Sequence, residues 1–512
     1  ATADFAFNFG QRPFAYSAPT DHKALCTTNL TASTIGDGQD YFEAVPYAGN
    51  GASNTVTGTQ FTPSFVWLKS RGGAYSHFLH DIVRGGTKAV FADNTNAEYD
   101  YSPSGVTSFN SNGFTVNGAY AANYASSSNI AWAWNGGSST TTVNAGDENS
   151  SNYDSSAVWS SAITLSGGST VGGKPLTNAF NGDLSTGTEG DSTNEYAELA
   201  ISTTIAAGGV RVYAAVTSAN PLVINLYNGG SNVETVSAGS SGAKWYSTST
   251  YAGPITKIRI ERTGRAFEFN SVEVNGKRLL DTGVTPVDNF PSIASSVRAS
   301  TTAGFSVVTF TGTGGNETVA HGLSAEPYLL LTKCREAGFN WAVYHQNTGN
   351  TGRWMLNNTL AFDTSSTFWN DTTPTSSLFS IGSFFANTKT FVAYCFAPVE
   401  GYSKFGTYIG NGSTNGTYVY LGFKPRFLLL RNASVAGNDW KIFDGARDPD
   451  NIVTQVLSPN STSAELFNTG LDFLANGFKW RDSGSAQNGS GNEIIYAAFA
   501  ENPFQANGGL AR

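Results

Sequence analysis

The chain has 512 residues and a mass of 54.0 kDa, a formal net charge of −9 and only 13% charged residues. No stretch concentrates Lys or Arg, so the basic footprint that replaces counterions on phosphates is missing and nucleic acid is excluded as a partner. No apolar run reaches the roughly 18 residues of a membrane span, which excludes membrane insertion by a helix, and 40% apolar content with 34 Phe, 22 Tyr and 10 Trp excludes disorder.

Few charges, 57 Gly and abundant aromatics suit short strands joined by tight turns. The expected fold class is all-β, as serial β-sandwich or jelly-roll domains. No basic segment followed by an apolar stretch opens the chain, so no signal peptide is expected; a trimmed Met or a longer precursor accounts for Ala1. Cys26, Cys334 and Cys395 lie far apart and imply no disulfide framework. They read as buried thiols of a reducing compartment, with a Cys334–Cys395 pair as the alternative.

Along the chain, one module recurs three times. Tyr47-Ala-Gly-Asn-Gly51 returns as Phe310-Thr-Gly-Thr-Gly314 and Tyr408-Ile-Gly-Asn-Gly412. A proline follows in each copy (Pro63, Pro327, Pro425), then an apolar run closed by a basic residue: Phe65–Lys69, Tyr328–Lys333 and Phe427–Arg431. Asn112-Gly-Phe114, Gly382-Ser-Phe384 and Asn476-Gly-Phe478 come next, and the copies close on Ile130–Trp134, Phe391–Phe396 and Ile494–Phe499. Runs such as Tyr328–Leu331 do not alternate, which predicts strands covered on both faces. Copies two and three are joined only by Glu400–Phe405 and are expected to pack as a rigid pair.

Between copies one and two the pattern changes. Val210–Ala214, Leu222–Tyr227 and Ile255–Ile260 alternate, with Ile255, Lys257 and Arg259 on one face and Thr256, Ile258 and Ile260 on the other, as in a sandwich strand. The expected organisation is an N-terminal arm or sandwich end over 1–43, copy one over 44–137 and a linker over 138–154. A jelly roll follows over 155–283, then a second linker over 284–303, copy two over 304–399 and copy three over 400–512.

The module, with its Gly-Asn-Gly opening, Asn-Gly-Phe strand and Tyr496–Phe504 ending, resembles an uncharacterised domain of tailed-bacteriophage structural proteins, marine and cyanobacterial phages above all. Phe7–Tyr16 with Lys23-Ala-Leu25 resembles the end of the SPRY-type, lectin-like sandwich that often precedes it. The middle unit, through Ala179–Thr186 and the strand Phe267–Lys277, resembles the galactose-binding-type jelly rolls of the discoidin and carbohydrate-binding-module group. These resemblances imply a virion-surface location, made in the host cytoplasm, and a homo-oligomer, a trimer. They imply a host cell-surface glycan and other virion proteins as partners.

Calcium wants six to eight hard oxygens from a flexible loop, and the acidic stretch with Asp183, Glu189, Asp191 and Glu195 is the best metal candidate by residue type. The jelly-roll resemblance implies a structural calcium held by Asp183, Thr186 and Glu273; no other cofactor is expected. His77 and His80 would point to opposite faces of a strand, which argues against zinc. Asp444-Gly-Ala-Arg-Asp-Pro-Asp450 offers the carboxylates of a glycosidase, but Asp81-Ile-Val-Arg84 of copy one keeps the acid and the arginine, so a turn salt bridge is the simpler reading. No Gly-x-Ser-x-Gly elbow or phosphate loop occurs, and Gly312–Gly315 reads as a turn. Trp159, Tyr196, Tyr213, Tyr227 and Trp245 are candidate sugar platforms, with core packing as the default for strand aromatics. The expected function is non-enzymatic: a tail fibre or appendage that adheres to host glycans. The competing readings are a capsid-decorating or structural virion protein and a polysaccharide depolymerase.

Overall fold

The computed structural model describes residues 34–143, 157–193, 195–201, 210–216, 219–238, 242–247, 251, 253–274, 277–284 and 291–503. The stretch resembling a SPRY-type sandwich end and most of the first linker lie outside these residues. Among the described residues the regular structure is nearly all strand, and the one α-helix is the single turn Ser485–Asn488. The chain is therefore all-β. No helix among the described residues is long and apolar enough to cross a membrane. The strands divide between two compact units, Ala1–Thr142 with Ser295–Arg512, and Val143–Ala294.

The first unit holds all three module copies. In copy one the sheet order is Phe42–Ala48, Ser128–Trp134, Phe65–Ser70, Phe78–Asp81, Lys88–Phe91, Tyr99–Asp100. Copy two repeats the first four positions with Phe305–Thr311, Thr390–Phe396, Leu329–Cys334 and Ala342–His345, and copy three with Ser403–Ile409, Glu493–Pro503, Phe423–Asn432 and Lys441–Asp444. A second sheet accompanies each, of three, two and four strands in copies one, two and three. In copy one, Val45, Val66, Leu68, Ala131 and Ala133 pack with Val56, Phe114 and Val116 of that second sheet. The alternate residues Phe42, Phe65, Trp67, Trp132 and Trp134 enter a core shared with copies two and three. Both faces of the strand are buried against protein, which is why its sequence does not alternate.

Two expectations are corrected here. Ser295–Ser300, placed in the second linker, is a strand paired with Phe305–Thr311, and Val297 and Arg298 are buried on it. The copy-two counterpart of Phe114 and Phe478 is Phe379, not Phe384. Phe379 pairs with Val319 as Phe114 pairs with Val56 and Phe478 with Val419, while Gly382–Phe384 forms the following turn. Local spelling misled because Ser377-Leu-Phe379 carries no turn glycine.

The Gly-x-Gly opening has a steric cause that all three copies share. A Cβ on Gly49, Gly312 or Gly410 would lie 2.3, 2.4 or 2.3 Å from the carbonyl oxygen of Tyr124, Phe385 or Gly489. The second glycines, Gly51, Gly314 and Gly412, have φ of 72°, 76° and 65°, the left-handed region that glycine alone enters without strain.

The copies do not stop at a rigid pair; they close a ring. Trp134, Phe396 and Phe499, equivalent residues of the closing strands, touch one another with ring centroids 6.0, 5.7 and 5.6 Å apart. The basic residue ending each apolar run is buried and reaches into a neighbouring copy. Lys69 donates to the Thr462 carbonyl at 3.1 Å, Lys333 to Thr95 at 3.1 Å, and Arg431 to Asn358 and Leu360 at 3.0 and 2.6 Å. Copy one thus reaches copy three, copy two reaches copy one, and copy three reaches copy two. Trp341 and Trp440 follow the same rule, donating Nε1–H to the Phe91 and Met355 carbonyls at 2.8 and 2.9 Å. Their counterpart in copy one is His77.

Candidate functional site

The second unit is a two-sheet sandwich. One sheet runs Ile163–Leu165, Tyr196–Ala200, Lys257–Arg262, Leu222–Asn228, Ser231–Ala238; the other runs Gly242–Ser247, Val210–Val216, Ser271–Val274, Lys277–Arg278. Between them lie Leu199, Val212, Ala214, Ile224, Leu226, Ile258, Ile260, Val272 and Val274. Alternation holds along Lys257–Arg262, with Ile258 and Ile260 inward and Lys257, Arg259 and Glu261 outward. Ile255 departs from it: it precedes the strand and is buried, so it does not share the face of Lys257.

The outward face of the five-stranded sheet gathers two tyrosines around charged groups. Arg259 lies 3.9 Å from the Tyr196 ring centroid and 5.3 Å from that of Tyr227, and Lys257 lies 4.4 Å from Tyr227. Glu198 Oε1 accepts from Lys257 Nζ at 2.8 Å and from Arg259 Nη2 at 2.7 Å. Glu261 accepts from Asn225 Nδ2 at 2.7 Å, and Asn225 accepts from Thr235 at 2.6 Å. Desolvation raises the Glu198 carboxyl, but the bonds from Lys257 and Arg259 outweigh it, and it stays ionised below the ordinary range. Tyr196, Tyr227, Lys257 and Arg259 are all half-buried. Register places them together, since Glu198 faces Arg259 and Tyr227 faces Lys257 across adjacent strands. The two carboxylates balance the two cations, so this face offers aromatic surface and hydrogen-bonding groups with no net charge.

The other sheet carries a second, smaller aromatic group. Tyr213 meets Trp245 edge-on at 5.5 Å, and Arg211 stands 5.1 Å from the Trp245 centroid. Of the five candidate platforms, Trp159 is buried in the core, and the other four lie half-buried on the outward faces.

The calcium candidates are not free donors. Asp183 Oδ1 accepts from Ser185 N and Oγ at 2.8 and 2.6 Å, and Thr186 Oγ1 donates to the Asp183 carbonyl while accepting from Asn181. Glu273 has both oxygens on Arg211, at 2.6 and 2.5 Å. Glu189 pairs with Lys174, Asp191 accepts from Ser169, and Glu195 accepts from the Ser192 amide. Among the described residues no group of three or more His, Cys, Asp or Glu is arranged to hold a metal ion. The residues present do not fit a calcium ion.

In the first unit, the catalytic and zinc-binding candidates Asp444, Asp448, His77 and His80 are engaged in bonds within the fold, and Asp450 is exposed. Asp444 caps its turn through the Ala446 and Arg447 amides and pairs with Arg447 Nε at 2.6 Å; Asp81 does the same with Val83, Arg84 and Arg84 Nε at 2.5 Å. The second oxygen of each also accepts across a seam: Asp81 from Tyr394 Oη and Asp444 from Trp132 Nε1, both at 2.9 Å. Arg84 continues to Glu98 and Arg335, and Arg447 to Glu465 and Arg71. Asp448 accepts from the Thr454 and Gln455 amides. His77 accepts from Trp67 Nε1 at 3.0 Å, and His80 meets the Gly86 carbonyl at 2.7 Å; the two rings belong to different cores, stacked on Trp132 and edge-on to Tyr120. Cys334 and Cys395 are buried free thiols. Sequence reading found the turn pair but not its partners in other copies, because Trp132 and Tyr394 lie more than 300 positions from their aspartates.

A family model described as Domain of unknown function (DUF7483) matches residues 37–181 and 280–503. No curated protein matches the chain. Among solved structures, the chain is similar to the lectin domain of lectinolysin complexed with Lewis B antigen, at 18% identity over 22% of this chain and 89% of that one, TM-score 0.20. It is similar to a Streptococcus pneumoniae fucose binding module at 18% identity, over 22% and 88%, TM-score 0.19. It is also similar to the family 32 CBM from C. perfringens NanJ in complex with galactose at 16% identity, over 23% and 97%, TM-score 0.19. At these identities and scores the likeness carries no argument.

Proposed function

We propose, for a chain that belongs to the family of a domain of unknown function (DUF7483), that it is a non-catalytic surface protein of a tailed-phage virion, a tail fibre or appendage that adheres to host glycans through its middle unit. The observation that carries the glycan part is the outward sheet face on which Tyr196 and Tyr227 flank Arg259 beside Glu198, Lys257 and Asn225. Sugar rings present C–H faces that stack on half-exposed aromatic rings, and their hydroxyls pair with fixed amide, carboxylate and guanidinium groups. A face without net charge suits neutral sugars. Weak contacts of this kind gain strength when several chains are held together. The module resemblance supports the virion location and the trimer.

The test is a host-glycan array with whole-cell binding, using the intact chain and the Y196A/Y227A variant. Binding that falls at least tenfold in the variant, with the fold retained, supports the reading; unchanged binding, or no binding to any host surface, refutes it. The competing structural or decorating role is favoured by one observation: the acids and bases of the module turns are consumed in seam bonds. That role predicts assembly onto virions with no glycan affinity. Shortening of host polysaccharide by the intact chain would instead support the depolymerase reading.

A further inference from the structure

We propose that Arg278 is the built-in cation of the middle unit: its guanidinium closes the 181–186 loop from beneath, and the loop keeps its shape without calcium. Arg278 is fully buried on the short strand Lys277–Arg278, paired in register with Glu273. Its Nε donates to Ser271 Oγ at 2.9 Å and its Nη1 to the Gly182 carbonyl at 3.4 Å, inside the loop. A guanidinium offers donors in a fixed fork, which suits a site built from one hydroxyl and one carbonyl.

Further acceptors of the loop are taken by protein donors. Asn181 Oδ1 accepts from the Asp183 amide at 2.9 Å, the Asp183 carbonyl from Thr186 Oγ1 at 3.1 Å, and the Leu184 carbonyl from Asn270 Nδ2 at 3.0 Å. Register sets Arg211, Glu273 and Arg278 side by side across three strands, so the Glu273 carboxylate lies between two arginines. A divalent ion entering here would have to displace Arg211 from Glu273 and then sit beside the buried Arg278 guanidinium, a like charge and a costly neighbour in a low-dielectric site. The Asp183 carboxyl is held below the ordinary range, first by the Ser185 hydrogen bonds and further by the Arg278 charge, as expected for a loop organised around a positive group.

The test uses the intact chain. Calcium titration calorimetry after chelation, and hydrogen exchange of the 181–187 amides with calcium or with EDTA, are expected to show no saturable heat and unchanged exchange. The R278M variant is expected to exchange those amides at least tenfold faster, and R278K, which keeps the charge but loses the fork, to fall between. Saturable calcium binding that slows exchange in the wild-type chain overturns the proposal. So does an R278M or R278K loop that exchanges like wild type; if R278M fails to fold, R278K alone decides. Neither readout involves glycan, so the proposal stands or falls apart from the adhesion reading.

Discussion

Acidification from pH 7 to pH 5 should weaken the three-module unit severely, and the reason is four buried imidazoles. His77, His80, His321 and His345 are all within the protein interior. Burial, the largest cause in each case, pushes His80 down to about 3 and His321 and His345 to about 4, and His77 well below 6.5. Geometry agrees for three of them: Nδ1 of His345 accepts from the Asn347 amide, Nδ1 of His321 from the Leu323 amide and Nδ1 of His77 from Trp67 Nε1, so none of these nitrogens has room for a proton. The unfolded chain takes up these protons near pH 6.5 and the folded chain does not. Stability is therefore complete above 6.5 and is lost as pH falls from 6.5 toward the folded values. Between pH 7 and pH 5 each group costs about 2 kcal/mol, and the four together about 7 kcal/mol, roughly half or more of a typical folding free energy. Eight of the ten tryptophans lie in the modules, so guanidinium unfolding followed by tryptophan fluorescence reports this unit. The midpoint should fall sharply at pH 5, and H345Q should remove about one proton's worth of that dependence. Equal midpoints at pH 7 and pH 5, or an H345Q chain with the full pH dependence, would refute the reasoning.

The alkaline side should run the other way at first. Burial lowers Lys69 and Lys333 to about 8, so the folded chain sheds these protons before the unfolded one, and unfolding midpoints should rise between pH 8 and pH 10. Above pH 10 they should fall again, since burial holds Tyr394, Tyr402 and Tyr408 well above the ordinary tyrosine value. D444N removes one of the two anions on buried Arg447, leaving only Glu465, and should destabilise by about 3–5 kcal/mol in urea titration. W134A removes one of three mutually touching rings at the ring centre and should cost about 3–5 kcal/mol in the same assay. G312A forces a Cβ against the Phe385 carbonyl and should destabilise more than A386G, measured by thermal unfolding.

Strand class and the recurrence of the module were legible because they depend on neighbours in sequence: turn glycines, a proline and an apolar run closed by a base. The alternating face of Lys257–Arg262 was legible for the same reason. What escaped depends on distant pairing. Lys69, Lys333 and Arg431 read as strand ends, yet each is a buried donor to another copy. Ser295–Ser300 read as linker because half of it is serine within a Ser- and Thr-rich stretch, although pairing with Phe305–Thr311 makes it a strand. Arg278 carried no signal at all; only its burial beside Gly182 separates it from a surface arginine.

A homotrimer repeats every surface residue three times, because one gene writes all three subunits. Here one polypeptide supplies the three equivalent positions separately, and each can hold a different side chain. Tyr99, Asp363 and Leu466 occupy matching places opposite Ala89, Arg353 and Val456, and the next positions are Asp100, Thr364 and Phe467. Phe467 is 77% exposed. The near-symmetric frame therefore carries, within each chain, one direction singled out of three by its exposed side chains.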